Sequence, residues 1–166
     1  MKLRSQTALI HAPRKAPQLI STIQPPLYRA STIIFQNTDA LFNRHWTDAY
    51  DYSYGTHGTP TTFTLGDQIA QIEGGTYSLL APSGLSAINL VNSCFLAQGD
   101  EVWVADNIYG PNMEHLRNLE NRYGITVKVY NPIDVDSFQP GAHAKLLWLE
   151  AAGSGTLEFP DLVRLV

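Results

Sequence analysis

The stretch Tyr77-Ser78-Leu79-Leu80-Ala81-Pro82-Ser83-Gly84-Leu85-Ser86-Ala87-Ile88 decides how the chain is read. Tyr77 to Ala81 is short and apolar, as a buried strand is, and Pro82 breaks it. From Gly84 a helical spacing runs to Leu96, with Leu85, Ile88, Val91 and Phe95 on one side. A turn of this kind leaves the first amides of the helix without intrahelical acceptors. They lie at the positive end of the helix dipole, where an anion is favoured. Gly84 lets a phosphate approach the backbone, and Ser83 either caps the helix or donates its hydroxyl. Taken alone, the Ser-Gly pair is an ordinary serine cap. The spacing is not GxGxxG, so a dinucleotide fingerprint is not supported.

Working outward, the same strand-then-helix rhythm continues. Gln98-Gly99-Asp100 reads as a turn and Glu101 to Ala105 as a strand. A helix is expected from about Pro111 to Arg122, with Pro in its first turn and Gly124 just past its end. The strands Thr126 to Tyr130 and Lys145 to Leu149 follow. Upstream, Leu65, Ile69 and Ile72 fall at helical spacing before the stop Gly74-Gly75. Alternation of this kind indicates an α/β fold with a largely parallel sheet, whose strands end on one rim where ligands bind.

Residues 1–60 differ. They are rich in Pro, Ser, Thr and aromatics and show no sustained period, so they are expected to wrap around this chain or a neighbouring one. The division expected is 1–60, an N-terminal wrapping segment, and 61–166, the first part of an α/β domain. Phe159-Pro160-Asp161 reads as a helix start. The apolar pattern that begins at Leu162 and Val163 is expected to belong to a longer protein.

Composition narrows the function classes. The chain of 166 residues is 44% hydrophobic and 16% charged, with a net charge of −4. Sparse, separated Lys and Arg argue against nucleic acid or an anionic membrane as partner. No apolar stretch has the length of a signal peptide or a membrane span. Cys94 is the only cysteine; lying in an apolar run, it is expected to be a buried thiol. These features suit a reducing, cytoplasmic setting. The five histidines show no metal-ligand spacing. Asp134 and Asp136 read as solvated turn carboxylates, and Glu114 and Glu120 stand within reach of Arg117 on one helix face.

Four segments are candidates for chemistry. Beside the Ser83 turn stand Ala105-Asp106-Asn107-Ile108-Tyr109-Gly110-Pro111, Tyr52-Ser53-Tyr54-Gly55-Thr56-His57-Gly58-Thr59-Pro60-Thr61 and Leu149-Glu150-Ala151-Ala152-Gly153-Ser154-Gly155-Thr156. Tyr109 sits on the Ser83 rim, where an aromatic ring either stacks on a flat ligand or simply covers a loop. Each segment is weak alone; their order is specific. Together with Pro26 to Ile33, Ile72-Glu73-Gly74-Gly75 and Gln98 to Val102, they resemble the Cys/Met-metabolism family of enzymes dependent on pyridoxal 5'-phosphate (PLP). Within it, the Gly-Ser-Gly loop is more like carbon–sulfur β-lyases than γ-synthases, γ-lyases or sulfhydrylases.

The resemblance spans nearly the whole chain and less than about half of a typical member. It implies the PLP-dependent transferase fold of aspartate aminotransferase (fold type I), present here as an incomplete large domain behind an irregular N-terminal segment. It implies PLP as cofactor, with Gly84 and Leu85 holding the phosphate by their amides and Ser83 beside them. Tyr109 would stack on the pyridine ring as the one catalytic position carried over, and Ser154 would stand near the ring's phenolic oxygen. Tyr54 would reach the phosphate of a neighbouring subunit's site in a homodimer or tetramer. The implied substrate is a small amino-acid thioether, cystathionine, cleaved to homocysteine, pyruvate and ammonia in methionine synthesis. A non-catalytic module pairing with full-length homologues is the contrasting reading. Two departures stand out. Thr56 takes the place of a phosphate-clamping Arg, whose bidentate charge a hydroxyl cannot supply, although His57 is adjacent. The family's PLP-binding lysine and its pyridine-pairing aspartate are expected beyond residue 166, since Lys2, Lys15, Lys128 and Lys145 lie in the wrong settings.

Overall fold

A computed structural model describes residues 25–44 and 52–166. The chain divides into two compact units, Met1–Leu80 and Ala81–Val166. Lys2, Lys15, His11 and His45 lie outside the described residues.

In the first unit, α1 (Thr38–Phe42) is capped by Asn37, whose side chain accepts from the Ala40 amide. α2 (Pro60–Glu73) starts on a proline and stops at Gly74, in the left-handed conformation expected of such a stop. Thr61 ties the segment before α1 to α2, accepting from the Tyr28 amide at 2.8 Å and donating to the Pro26 carbonyl at 2.9 Å. Residues 77–81 form no strand. Tyr77 is 87% and Leu79 80% exposed, so among the described residues this apolar run of strand-like composition has no backbone partner that would make it a strand.

The second unit opens with α3 (Gly84–Phe95), then β1 (Glu101–Ala105), α4 (Gly110–Tyr123), β2 (Thr126–Tyr130), a 3₁₀ turn at Val135–Ser137, β3 (Ala144–Trp148) and α5 (Leu162–Leu165). The three strands form a parallel sheet in the order β2-β1-β3. β1 reads Glu-Val-Trp-Val-Ala because a central parallel strand buries both faces. Val102 and Val104 join Ile108, Leu116, Ile125 and Val127 on one side; Trp103 and Ala105 pack with Tyr130 and Leu165 on the other. The register slips between Glu101 and Val102 on the β3 side. β3 begins one residue before the sequence pattern indicates.

α3 corrects two expectations. Its fully buried residue is polar, Asn92, while Leu85 and Phe95 of the expected apolar face are exposed. Cys94 is exposed as well, because it lies off the face that Asn92 turns inward.

Glu120 fastens α4 to β2. Its carboxylate accepts from the Val127 amide at 2.9 Å and from Arg117 at 2.8 Å. The amide first, and the guanidinium after it, hold this carboxyl below its ordinary value of 4.5, against an opposing push from burial. A depressed folded-state value means that the contribution is present above the ordinary value and is lost as pH falls through the depressed one. Glu120→Gln should therefore flatten the fall in stability on the acid side, read by urea denaturation as a function of pH. In the same assay at neutral pH, Leu116→Ala should lower stability by about 2–5 kcal/mol. Val129→Ala, at an exposed strand position, should lower it by less than about 1 kcal/mol.

Candidate functional site

Because the strands are parallel, β1 and β3 deliver their following loops to one rim. The β1 loop carries Asn107 and Tyr109; the β3 loop carries Glu150 to Glu158. Tyr109 is the N-cap of α4, and its amide donates to Glu150 Oε2 at 2.8 Å. Asn107 Nδ2 donates to Thr156 Oγ1 and to Glu158 Oε2, each at 2.8 Å. The two loops are thus clasped by three bonds to side-chain acceptors, two of them carboxylates.

Gly153 is the residue that lets the clasp close. A Cβ there would run into the Asn107 amide group, so only glycine permits the approach. The backbone of the loop is held by Gly153 N to Glu158 O at 2.8 Å and Leu157 N to Gly153 O at 3.0 Å. Ser154 stands exposed on the turn that follows Gly153. Tyr109 is 40% exposed, so part of it is open to a flat ligand.

The Ser83 turn begins α3 as the sequence indicates. Ser83 has extended backbone angles, and its hydroxyl accepts from the Ser86 amide at 3.1 Å and lies 2.9 Å from the Ser86 hydroxyl. The amides of Gly84 and Leu85, in the first turn of a twelve-residue helix, have no intrahelical acceptors. A Cβ at Gly84 would meet nothing within 4 Å, so the backbone at the start of α3 is uncrowded on that side.

Tyr54 belongs to the first unit. It is exposed, forms an isolated antiparallel bridge with Thr32, and sets its ring edge-on to His57 at 5.9 Å. Thr56 and His57 beside it are exposed, and His57 Nδ1 lies 3.4 Å from the Ser53 hydroxyl.

A relay that the sequence pattern does not flag joins the rim elements from below. Asn92 on α3 donates from Nδ2 to Asn112 Oδ1 on α4 at 3.1 Å, and its Oδ1 accepts from Trp148 Nε1 on β3 at 2.8 Å. Asn92 is 0% and Asn112 1% exposed. A polar residue inside an otherwise apolar helix face was the only hint of it.

The fold is that of the PLP-dependent type I enzymes. It superposes on cystathionine γ-synthase from Xanthomonas oryzae pv. oryzae, solved in complex with cystathionine, with a TM-score of 0.82 at 24% identity, covering 100% of this chain and 41% of that one. The chain belongs to the family of Cys/Met metabolism PLP-dependent enzymes, whose sequence model matches residues 6–166. It is 28% identical over 165 residues to the cystathionine β-lyase MetC of Escherichia coli K12, covering 96% of this chain and 41% of that protein. It is 29% identical over 174 residues to the L-alanine/L-glutamate racemase of Wolbachia pipientis wMel, covering 99% of this chain and 43% of that protein. The chain therefore spans less than half the length of these curated relatives.

The residues present fit the non-covalent half of a PLP site: open helix-start amides for a phosphate and a partly exposed tyrosine for a ring. The covalent half is not matched among the described residues. Lys128 and Lys145 lie within β2 and β3, away from the rim loops. Among the described residues no helix is long and apolar enough to cross a membrane.

Breaking the clasp at Glu150 should show its geometry directly. Glu150→Ala should expose the Tyr109 amide and raise its hydrogen-exchange rate several-fold. Glu150→Gln, which keeps an acceptor oxygen, should leave the rate within about twofold of the parent.

Proposed function

We propose that this chain supplies the phosphate and ring contacts of a PLP-dependent carbon–sulfur lyase, one that cleaves cystathionine to homocysteine, pyruvate and ammonia in methionine synthesis. The carrying observation is the pairing of open amides at Gly84 and Leu85 with a Tyr109 whose backbone is locked on the strand rim by Glu150. The family match and the β-lyase relative support it, and so does the Gly153-Ser154-Gly155 loop, built to close on Asn107.

Within that activity the residues bind and orient. Gly84 and Leu85 donate to the phosphate at the positive end of α3, with the Ser83 hydroxyl beside them. Tyr109 presents its ring face and fixes the plane of the bound heterocycle. Ser154 would stand near the ring's phenolic oxygen. Tyr54 serves the phosphate of a neighbouring subunit's site, so the working form is a homodimer or tetramer. Thr56 cannot replace a guanidinium there, which weakens that contact. PLP, when bound, supplies the electron sink for chemistry at the amino-acid Cα. Among the described residues, Lys128 and Lys145 lie within β2 and β3 and not in the rim loops, so the proposed contacts are non-covalent ones. The setting proposed is the cytoplasm.

The purified chain should bind PLP reversibly, seen as a shift in the cofactor's absorption, and Tyr109→Leu and Gly84→Val should each weaken binding by about five- to tenfold. Borohydride followed by mass spectrometry should find no lysine carrying the cofactor. A labelled Lys128 or Lys145 would contradict the non-covalent assignment, and wild-type affinity in both variants would contradict the site.

A further inference from the structure

We infer that Asn92 is a positioning residue, which sets where the phosphate turn stands relative to Tyr109. The inference rests on the cofactor reading of those two groups. Asn92 lies roughly two and a half helical turns beyond Ser83 on α3, whereas Asn112 lies within the first turn after Tyr109 on α4. The bond between their side chains, at 3.1 Å, therefore fixes the offset between two helix starts. Trp148, the last residue of β3, donates to the other end of the same amide at 2.8 Å.

The bonds close into a circuit. From Asn92 it passes to Asn112, whose amide donates to the Tyr109 carbonyl at 2.9 Å. The Tyr109 amide donates to Glu150 at 2.8 Å, and Glu150 is two residues from Trp148, which returns to Asn92. Both polar groups of the Asn92 amide are matched, and its residue is fully buried. Either partner bonded alone would hold two elements; Asn92 holds three, each leading into a rim loop or turn. An apolar residue of similar size would fill the space but set no register between them.

The test uses the whole chain and two probes, inorganic phosphate and PLP. Binding is followed by the shifts of the Gly84 and Leu85 amides in proton–nitrogen spectra. Phosphate reports on the turn alone; PLP requires the turn and Tyr109 at the correct spacing. Asn92→Leu should weaken PLP about tenfold while phosphate binding stays within about twofold. The variant Asn92→Leu/Asn112→Leu/Trp148→Phe leaves no unmatched polar group in the relay and should recover stability. Its PLP affinity should stay low. Parallel loss of both ligands in Asn92→Leu, or recovery of PLP affinity with stability in the triple variant, would overturn the assignment. A parent chain that binds PLP no better than phosphate would instead sink the cofactor reading of Tyr109, and the positioning role with it.

Discussion

One buried amide joins the three elements that carry the Ser83 turn and the two rim loops. Asn92 sits where an apolar side chain is the ordinary choice, with its donor given to Asn112 and its acceptor taken by Trp148. A buried amide left unmatched at either end would be unfavourable by about 1–3 kcal/mol. That penalty ties the three elements into one geometry: displacing α3, α4 or β3 relative to the others breaks one of the bonds of this amide. The sheet brings the loops to the same edge, and the relay decides their spacing.

The parts of the fold that were legible are those whose sequence signal is local. β1 and β2 match their expected limits: β1 as the two-sided apolar run Val-Trp-Val that a central parallel strand buries, β2 as a short Val- and Tyr-bearing edge strand that starts just after Gly124. α4 is marked at both ends, by Pro111 and by Gly124 in the left-handed conformation. The Ser83 cap and the Asp161 cap are likewise short-range. Residues 77–81 show the limit. Apolar composition says that a segment wants cover, and is silent on whether a backbone partner exists. For Asn92 the helical spacing pointed the wrong way, placing Leu85 and Phe95 inward. Its partners lie 20 and 56 residues downstream, so beyond its place on that helix face nothing near it in sequence marks it as buried. The clasp was half visible: Glu150 and Gly153 stood in a segment already singled out, but their attachment to Tyr109 and Asn107 is a tertiary fact.

The site divides the labour of a PLP enzyme in an instructive way. Holding a phosphate needs only backbone amides and a helix dipole, and orienting a ring needs an aromatic face; both come from the strand–turn–helix architecture itself. Covalent capture needs an amine in the same place, and the lysines within β2 and β3 do not reach that rim. In the proposed site, the contacts that would recognise the cofactor are thus separate from the group that would bond to it. The chain is similar in sequence to relatives as different as a β-lyase and a racemase, so likeness of fold does not by itself fix the reaction.

The central claim is that the turn at Ser83 and the ring of Tyr109 grip opposite ends of one PLP molecule. The direct measurement is an isotope-filtered nuclear Overhauser experiment on the labelled chain with unlabelled PLP. Contacts from the pyridine protons to the Tyr109 ring, in the same complex that shifts the Gly84 and Leu85 amides, are the predicted result. Shifted amides with pyridine contacts only to residues away from Tyr109 would contradict the account.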